Sequence, residues 1–160
     1  MKSITLLIPA YNEEQVLPAL YDRLAQLAKN ESDYKFEFLF VNDGSQDMTL
    51  EIIKDYAEKD DRVSYVNLSR NFGKEIAMIA GIDHVESDAL VIVDADLQDP
   101  PELIPEMITL WDNGYDDVYA KRRSREGESW LKKFTSEMYY KLLQQVTHVP
   151  IQEDTGDFRL

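Results

Sequence analysis

The sequence predicts an α/β fold: a mostly parallel central sheet with helices on both faces. Three observations carry that prediction. Apolar runs of strand length alternate with segments of helical period. Polar, turn-forming clusters follow the first, second and fourth of those runs. The run from Ala89 to Val93 is apolar throughout, as in a strand covered on both sides. At 160 residues, folding buries roughly 70% of the extended-chain surface, so one sizeable core and a single domain over residues 1–160 are expected.

In chain order, Ile4 to Ile8 reads as the first strand, ended by Pro9. Asn12 is placed to cap the next helix, with Gln15 at the capping-box position and Val16, Leu17, Leu20, Leu24 and Leu27 on one face. Pro18 sets the start of regular helix near itself. Phe36 to Val41 is the second strand. The turn Asn42-Asp43-Gly44-Ser45 leads into a helix with Leu50, Ile53 and Ala57 facing inward. Val63 to Leu68 is the third strand, and Phe72 to Val85 is helical with Ile76, Ile79, Ala80 and Ile82 as its buried stripe. Ala89 to Val93 is a strand buried on both faces, Glu102 to Trp111 a short helix, Asp117 to Ala120 a weaker strand, and Trp130 to Val146 an amphipathic helix. The last stretch, Asp154 to Leu160, has no terminating signal and reads as the cut end of a longer chain.

Composition narrows the function. With 17 basic and 31 acidic residues the net charge is -14, a field that repels phosphates and disfavours nonspecific nucleic-acid binding. The absence of cysteine excludes disulfides, thiolate metal sites and cysteine nucleophiles. No apolar stretch approaches the roughly 20 residues of a membrane span, and the first strand begins too early for a signal peptide. The default location is therefore the cytoplasmic side. Assembly into a homo-oligomer is left open by composition.

In an open parallel sheet, ligands bind outside the carboxyl ends of the strands. Pro9 to Glu13, Asn42 to Ser45 and Asp94 to Asp99 all fall at that end. Asp94 and Asp96 alternate along the chain, so they share a site only if the backbone turns between them. With Gln98 they offer the hard oxygen ligands that Mg²⁺ or Mn²⁺ takes, alongside substrate phosphates. An EF-hand is excluded, because Asp99 and Pro105 stand where that loop needs glycine and glutamate. Gly73-Lys74-Glu75 lacks the spacing of a phosphate loop. The competing structural account of the acidic loop is a cap on the Glu102 helix. The basic stretch containing Lys121, Arg122, Arg123, Arg125, Lys132 and Lys133 is an anion trap, a lipid-facing patch or a solvated helix start. His84 and His148 have no partner at metal or triad spacing and receive no role.

Four stretches together resemble the family 2 glycosyltransferases of the GT-A fold: Ile8 to Glu14, Val41 to Asp47, Ser69 to Glu75 and Asp94 to Glu102. The wording Arg70-Asn71-Phe72-Gly73-Lys74-Glu75 and Asp96-Leu97-Gln98-Asp99-Pro100-Pro101-Glu102 is similar to the polyprenyl-phosphate branch, the bactoprenol glucosyltransferases and dolichyl-phosphate mannose synthases. The resemblance implies that Pro9, Tyr11, Glu13 and Asp43 hold the donor nucleoside, with Lys74 close by. It implies that Asp94 and Asp96 form the Asp-x-Asp metal motif, joined by Gln98. Arg122 and Arg125 resemble arginines that meet phosphate. Asp157 matches the position of the suggested catalytic base, beside Arg159.

The implied reaction is inverting transfer of a hexose, by preference glucose from UDP-glucose, to a polyprenyl phosphate. The implied partners are the nucleotide-sugar donor, the lipid acceptor and, through an absent C-terminal segment, the membrane surface. A phosphate acceptor with a second pKa of about 6 is largely ionised at neutral pH, so Asp157 is expected to position it rather than deprotonate it. Two rivals stand beside this reading. One is a family 2 enzyme acting on a soluble sugar, polysaccharide or protein hydroxyl. The other is a module that binds nucleotide sugar without turnover.

Overall fold

The computed structural model describes residues 1–97, 100–121 and 155–160. The chain divides into two compact units, one of Met1–Val118 with Asp157–Leu160 and one of Tyr119–Gly156.

In the first unit, β1 (Lys2–Ala10), β2 (Tyr34–Asn42), β3 (Val63–Asn67) and β4 (Ala89–Ile92) are mutually parallel and ordered β3-β2-β1-β4. Beyond β4 comes β6 (Thr155–Arg159), antiparallel to it with Arg159 opposite Ile92. Val118 and Leu160 exchange both backbone hydrogen bonds, at 2.9 and 2.8 Å. The second unit contains β5 (Tyr119–Lys121) and the first residues of β6.

β1 runs through Pro9 rather than ending before it. The Ala10 carbonyl accepts from Asp43 N on the β2 side, so the alternation of a strand turns the Pro9 nitrogen toward β4. Pairing with β4 ends at Leu7, where Val93 N reaches the Leu7 carbonyl, and the missing proline N–H is therefore not required.

Side chains on one face of the sheet, including Leu6, Phe38 and Phe40, are covered by α1 (Leu17–Asn30) and α2 (Thr49–Lys59). Tyr21 of α1 meets Phe38 edge-on and stacks on Tyr56 of α2, which in turn packs near Phe40. Leu17, Leu20, Leu24 and Leu27 form the buried stripe of α1, each contributing about 1.5–3 kcal/mol by the area it removes from water. Pro18 lies in the first turn of α1, where no partner is needed for its nitrogen.

The opposite face carries Leu7, Leu39 and Val41 under α3 (Lys74–Ile82). Here the expected stripe is overturned: Ile76, Ile79 and Ile82 are 49%, 56% and 45% exposed, and Ala77 and Gly81 face inward. A Cβ on Gly81 would stand 2.3 Å from Leu7 Cδ1 and 2.9 Å from Val41 Cγ2. The helix lies so close to the sheet that only its small residues fit beneath it. Because α3 lies over β1 and β2, β4 is not buried on both faces as expected; Leu90 and Ile92 stay partly exposed while Val91 is buried. A short 3₁₀ turn, Pro101–Leu103, precedes α4 (Ile104–Asp112), whose Ile104, Met107 and Ile108 are buried. The helix expected at Trp130 to Val146 lies outside the described residues. Among the described residues, no helix is long and apolar enough to cross a membrane.

Candidate functional site

The segments that leave β1 and β2 are laced together by side chain to backbone hydrogen bonds. Asn12, at φ 55°, donates its amide to Ser45 Oγ at 3.0 Å, and its own Oδ1 accepts from Gln46 N at 2.8 Å. Thr49 Oγ1 accepts from Glu13 N at 2.8 Å, and Glu14 Oε2 accepts from Met48 N at 2.9 Å. Asn12 is therefore not the cap of α1, which has no side-chain cap. Its left-handed backbone, tolerated well by asparagine, turns its side chain toward the β2 loop instead.

A second lacing joins β2 to the approach of α3. Asp43 is 2% exposed, and its Oδ1 and Oδ2 accept from Phe72 N at 2.8 Å and Gly73 N at 2.9 Å. Lys74, the first residue of α3, extends its Nζ to Asp94, 2.6 Å from Oδ1 and 2.8 Å from Oδ2. After β4 the chain turns at Ala95 and Asp96, with Leu97 at φ 60°. That turn removes the strand alternation that would otherwise separate Asp94 from Asp96.

The result is one cavity of about 260 Å³ at the carboxyl end of the sheet, lined by Pro9, Ala10, Tyr11, Glu13, Asp43, Asn71, Lys74, Asp94, Ala95 and Asp96. Seven of the eight residues that sequence reasoning gave to the donor and metal (Pro9, Tyr11, Glu13, Asp43, Lys74, Asp94 and Asp96) meet there; the eighth, Gln98, lies outside the described residues. Asn71 also lines the cavity and was not singled out; its signal was its place inside the Arg70 to Glu75 stretch. Tyr11 is 41% exposed, leaving its ring available at the wall for stacking.

Electrostatically the cavity is acidic, with Lys74 as the basic residue on its wall. Burial first, and then the charges of Asp96 and Asp47, push the Glu13 carboxyl above its ordinary range. A diphosphate entering such a site needs added positive charge. Asp94 and Asp96 are hard oxygen donors on one cavity wall, and a magnesium-type ion takes one or two carboxylates and completes its shell with water and substrate phosphates. Among the described residues, no group of three or more acidic, histidine or cysteine side chains is arranged to hold a metal by itself. The donor set fits an ion shared with phosphate better than a closed protein cage.

Gln98, Arg122 and Arg125 lie outside the described residues, so their expected metal and phosphate roles have no geometry here. Arg159 is exposed at the end of β6. Because β6 runs antiparallel to β4 from the pair Ile92 and Arg159, the backbone of Asp157 lies toward the carboxyl end of β4, the end at which Asp94 and Asp96 follow.

Residues 5–160 match the family described as Glycosyl transferase family 2. An uncharacterized glycosyltransferase of Synechocystis sp. is 49% identical over 157 residues, covering 98% of this chain and 49% of that protein. A prophage bactoprenol glucosyl transferase homolog of Escherichia coli is 43% identical, covering 98% of this chain and 51% of that protein. Among solved structures, S. aureus TarS 1-349 in complex with UDP-GlcNAc is 26% identical with a TM-score of 0.56, covering 81% of this chain and 36% of that one. The chain thus spans about half the length of the curated relatives it matches.

Proposed function

Because the chain belongs to glycosyl transferase family 2, we propose that its protein transfers a hexose, by preference glucose from UDP-glucose, to a polyprenyl phosphate with inversion. The observation that carries the donor half is the convergence on the cavity at the carboxyl end of the sheet. Residues as far apart as Pro9 and Asp96, from four separate stretches, line one space at the sheet end where nucleotides bind in α/β folds. The acceptor half rests on the relatives named bactoprenol glucosyl transferases, at 43% identity.

In this reading Pro9, Tyr11, Glu13 and Asp43 form the nucleoside side of the cavity, and Lys74 with Asp94 and Asp96 the diphosphate side. Asp94 and Asp96, with Gln98, would hold Mg²⁺ or Mn²⁺, which when bound supplies charge compensation at the leaving diphosphate. Lys74 places a fixed cation beside the same charge, where preorganised electrostatics lower a barrier most effectively. Arg122 and Arg125 orient the acceptor phosphate by forked hydrogen bonds, with Arg159 assisting. Asp157 positions that phosphate, whose oxygen is already ionised and attacks the anomeric carbon as the sugar–diphosphate bond breaks. The cytoplasmic side of a membrane is the proposed location.

The test is transfer of labelled glucose from UDP-glucose to polyprenyl phosphate in detergent by the full-length protein. Label in the lipid phase that depends on a divalent cation supports the reading. Label only in a soluble sugar or polysaccharide acceptor refutes its acceptor half.

A further inference from the structure

Thr49, the first residue of α2, is 0% exposed, and its hydroxyl works in two directions. Its Oγ1 accepts from Glu13 N at 2.8 Å, and the hydroxyl in turn donates to the Asp47 carboxylate. Asp47 gathers two further donors: Oδ1 takes the Thr49 amide at 3.0 Å and Oδ2 the Glu14 amide at 3.2 Å. Desolvation alone would raise the Asp47 pKa, but the Thr49 hydroxyl and the Thr49 and Glu14 amides outweigh it and hold the carboxyl below its ordinary range. Because the hydroxyl proton is directed at this charge, a lone pair of the same oxygen is left to face the Glu13 N–H. On its other side the Glu13 carbonyl accepts from Val16 N at 3.1 Å and Leu17 N at 2.9 Å, at the entry to α1. The Glu13 backbone is thus held at both its amide and its carbonyl while its side chain lines the cavity; Asp47 and Thr49 are not among the lining residues.

Resting on the donor-site reading above, we propose that Thr49 and Asp47 are positioning residues. The buried hydroxyl, oriented by the carboxylate, fixes the Glu13 backbone and so sets where the Glu13 side chain stands on the nucleoside side of the cavity. The need for such a hold is electrostatic. Glu13 is half-buried and repelled by the charges of Asp96 and Asp47, so a loosely held side chain would swing out toward water. Hydrogen bonds onto an ionised carboxylate are roughly twice as strong as neutral ones. A hydroxyl that donates to such a charge while accepting an amide is polarised in the sense that strengthens both bonds. Water cannot stand in for it, since Thr49 is closed to solvent. Valine keeps the shape of threonine but leaves the Glu13 amide without its acceptor, whereas serine keeps the hydroxyl.

The test is a set of double-mutant cycles on the full-length protein. UDP-glucose with Mn²⁺ is titrated into wild type, T49V, T49S, D47N and E13A, and into T49V and D47N each combined with E13A. T49V and D47N are each expected to weaken binding about tenfold, and T49S to stay within about twofold of wild type. In the E13A background neither change is expected to alter affinity by more than about twofold, since the side chain they place is gone. If either still costs its full factor there, or T49V binds as wild type does, the proposal is overturned. Wild type that binds neither UDP-glucose nor UDP refutes the donor-site reading, and this role with it. Hydrogen exchange reads the hold itself, without donor. In T49V the Glu13 amide is expected to exchange at least about tenfold faster, in T49S at the wild-type rate, and the Leu24 amide of α1 to keep its rate in both. An unchanged Glu13 rate in T49V overturns the proposal whatever the titrations give, as does an acceleration that Leu24 shares equally.

Discussion

Gly44→Ala tests whether the β2 loop and the approach to α3 are as closely docked as they stand. The new Cβ would lie 2.3, 2.5 and 2.6 Å from the Arg70 carbonyl carbon, Arg70 Cα and Asn71 N, all backbone atoms that cannot rotate away. Restoring ordinary contact requires the two segments to part by about 1 Å. Overpacking of that kind costs about 1–3 kcal/mol, and a side chain at φ 65° adds about 1–2 kcal/mol. Gly114→Ala is the control, because Gly114 has φ 95° with nothing within 4 Å of the added atom. Both variants lose the same unfolded-state freedom, so that effect cancels between them. In urea titrations followed by tryptophan fluorescence, Gly44→Ala should lose about 2–5 kcal/mol and Gly114→Ala about 1–2 kcal/mol. A shift of about 1 Å in the Asn71 wall is also of the size that reduces turnover about a hundredfold, and Gly114→Ala should leave turnover intact. Equal losses in the two variants would refute the docking argument.

Other expectations follow from the same geometry. Ile79→Ser on the exposed side of α3 should change stability by less than about 0.5 kcal/mol in urea, whereas Ala77→Leu beneath it should lose about 1–3 kcal/mol. Asp60 is held well below the ordinary carboxylate range, first by the Arg62 hydrogen bonds and also by the Tyr21 hydroxyl, against a desolvation that acts the other way. A depressed native pKa gives stability that is present above the unfolded value near 3.9 and lost as pH falls toward the native one. Asp60→Asn should therefore flatten the acid limb of thermal stability below about pH 4. Asp96→Asn should lower the Glu13 pKa, read by carboxyl NMR, yet leave it above its ordinary range because burial is the larger cause. The same variant should weaken metal-dependent UDP binding, and an unchanged metal requirement by titration would remove Asp96 from the site.

Much of this was legible in the sequence, and for definite reasons. Parallel pairing follows from apolar runs alternating with helical periods, and the leucine stripe of α1 fell where its spacing put it. The cavity was legible because its residues sit in turn-forming clusters directly after strands, which the parallel topology brings to one end. The inner face of α3 was not. Periodicity rewards large apolar residues, but the distance to Leu7 and Val41 admits only Ala77 and Gly81, a constraint no local pattern contains. Asn12 misled for a related reason: a good cap residue in the right place was engaged by the β2 loop, a partner more than thirty residues away. The antiparallel β6 was equally hidden, since Thr155–Arg159 has little strand character and is held by the pairing of Arg159 with Ile92 and, just beyond it, of Leu160 with Val118.

The central claim is that the acidic cavity takes a nucleoside diphosphate through a shared divalent cation. Calorimetric titration of the chain with UDP and, separately, GDP, with Mn²⁺ present and then chelated, tests it most directly. Binding of UDP in preference to GDP, lost on chelation, is the predicted result. No binding of either nucleotide to protein whose thermal unfolding shows it folded would contradict the claim.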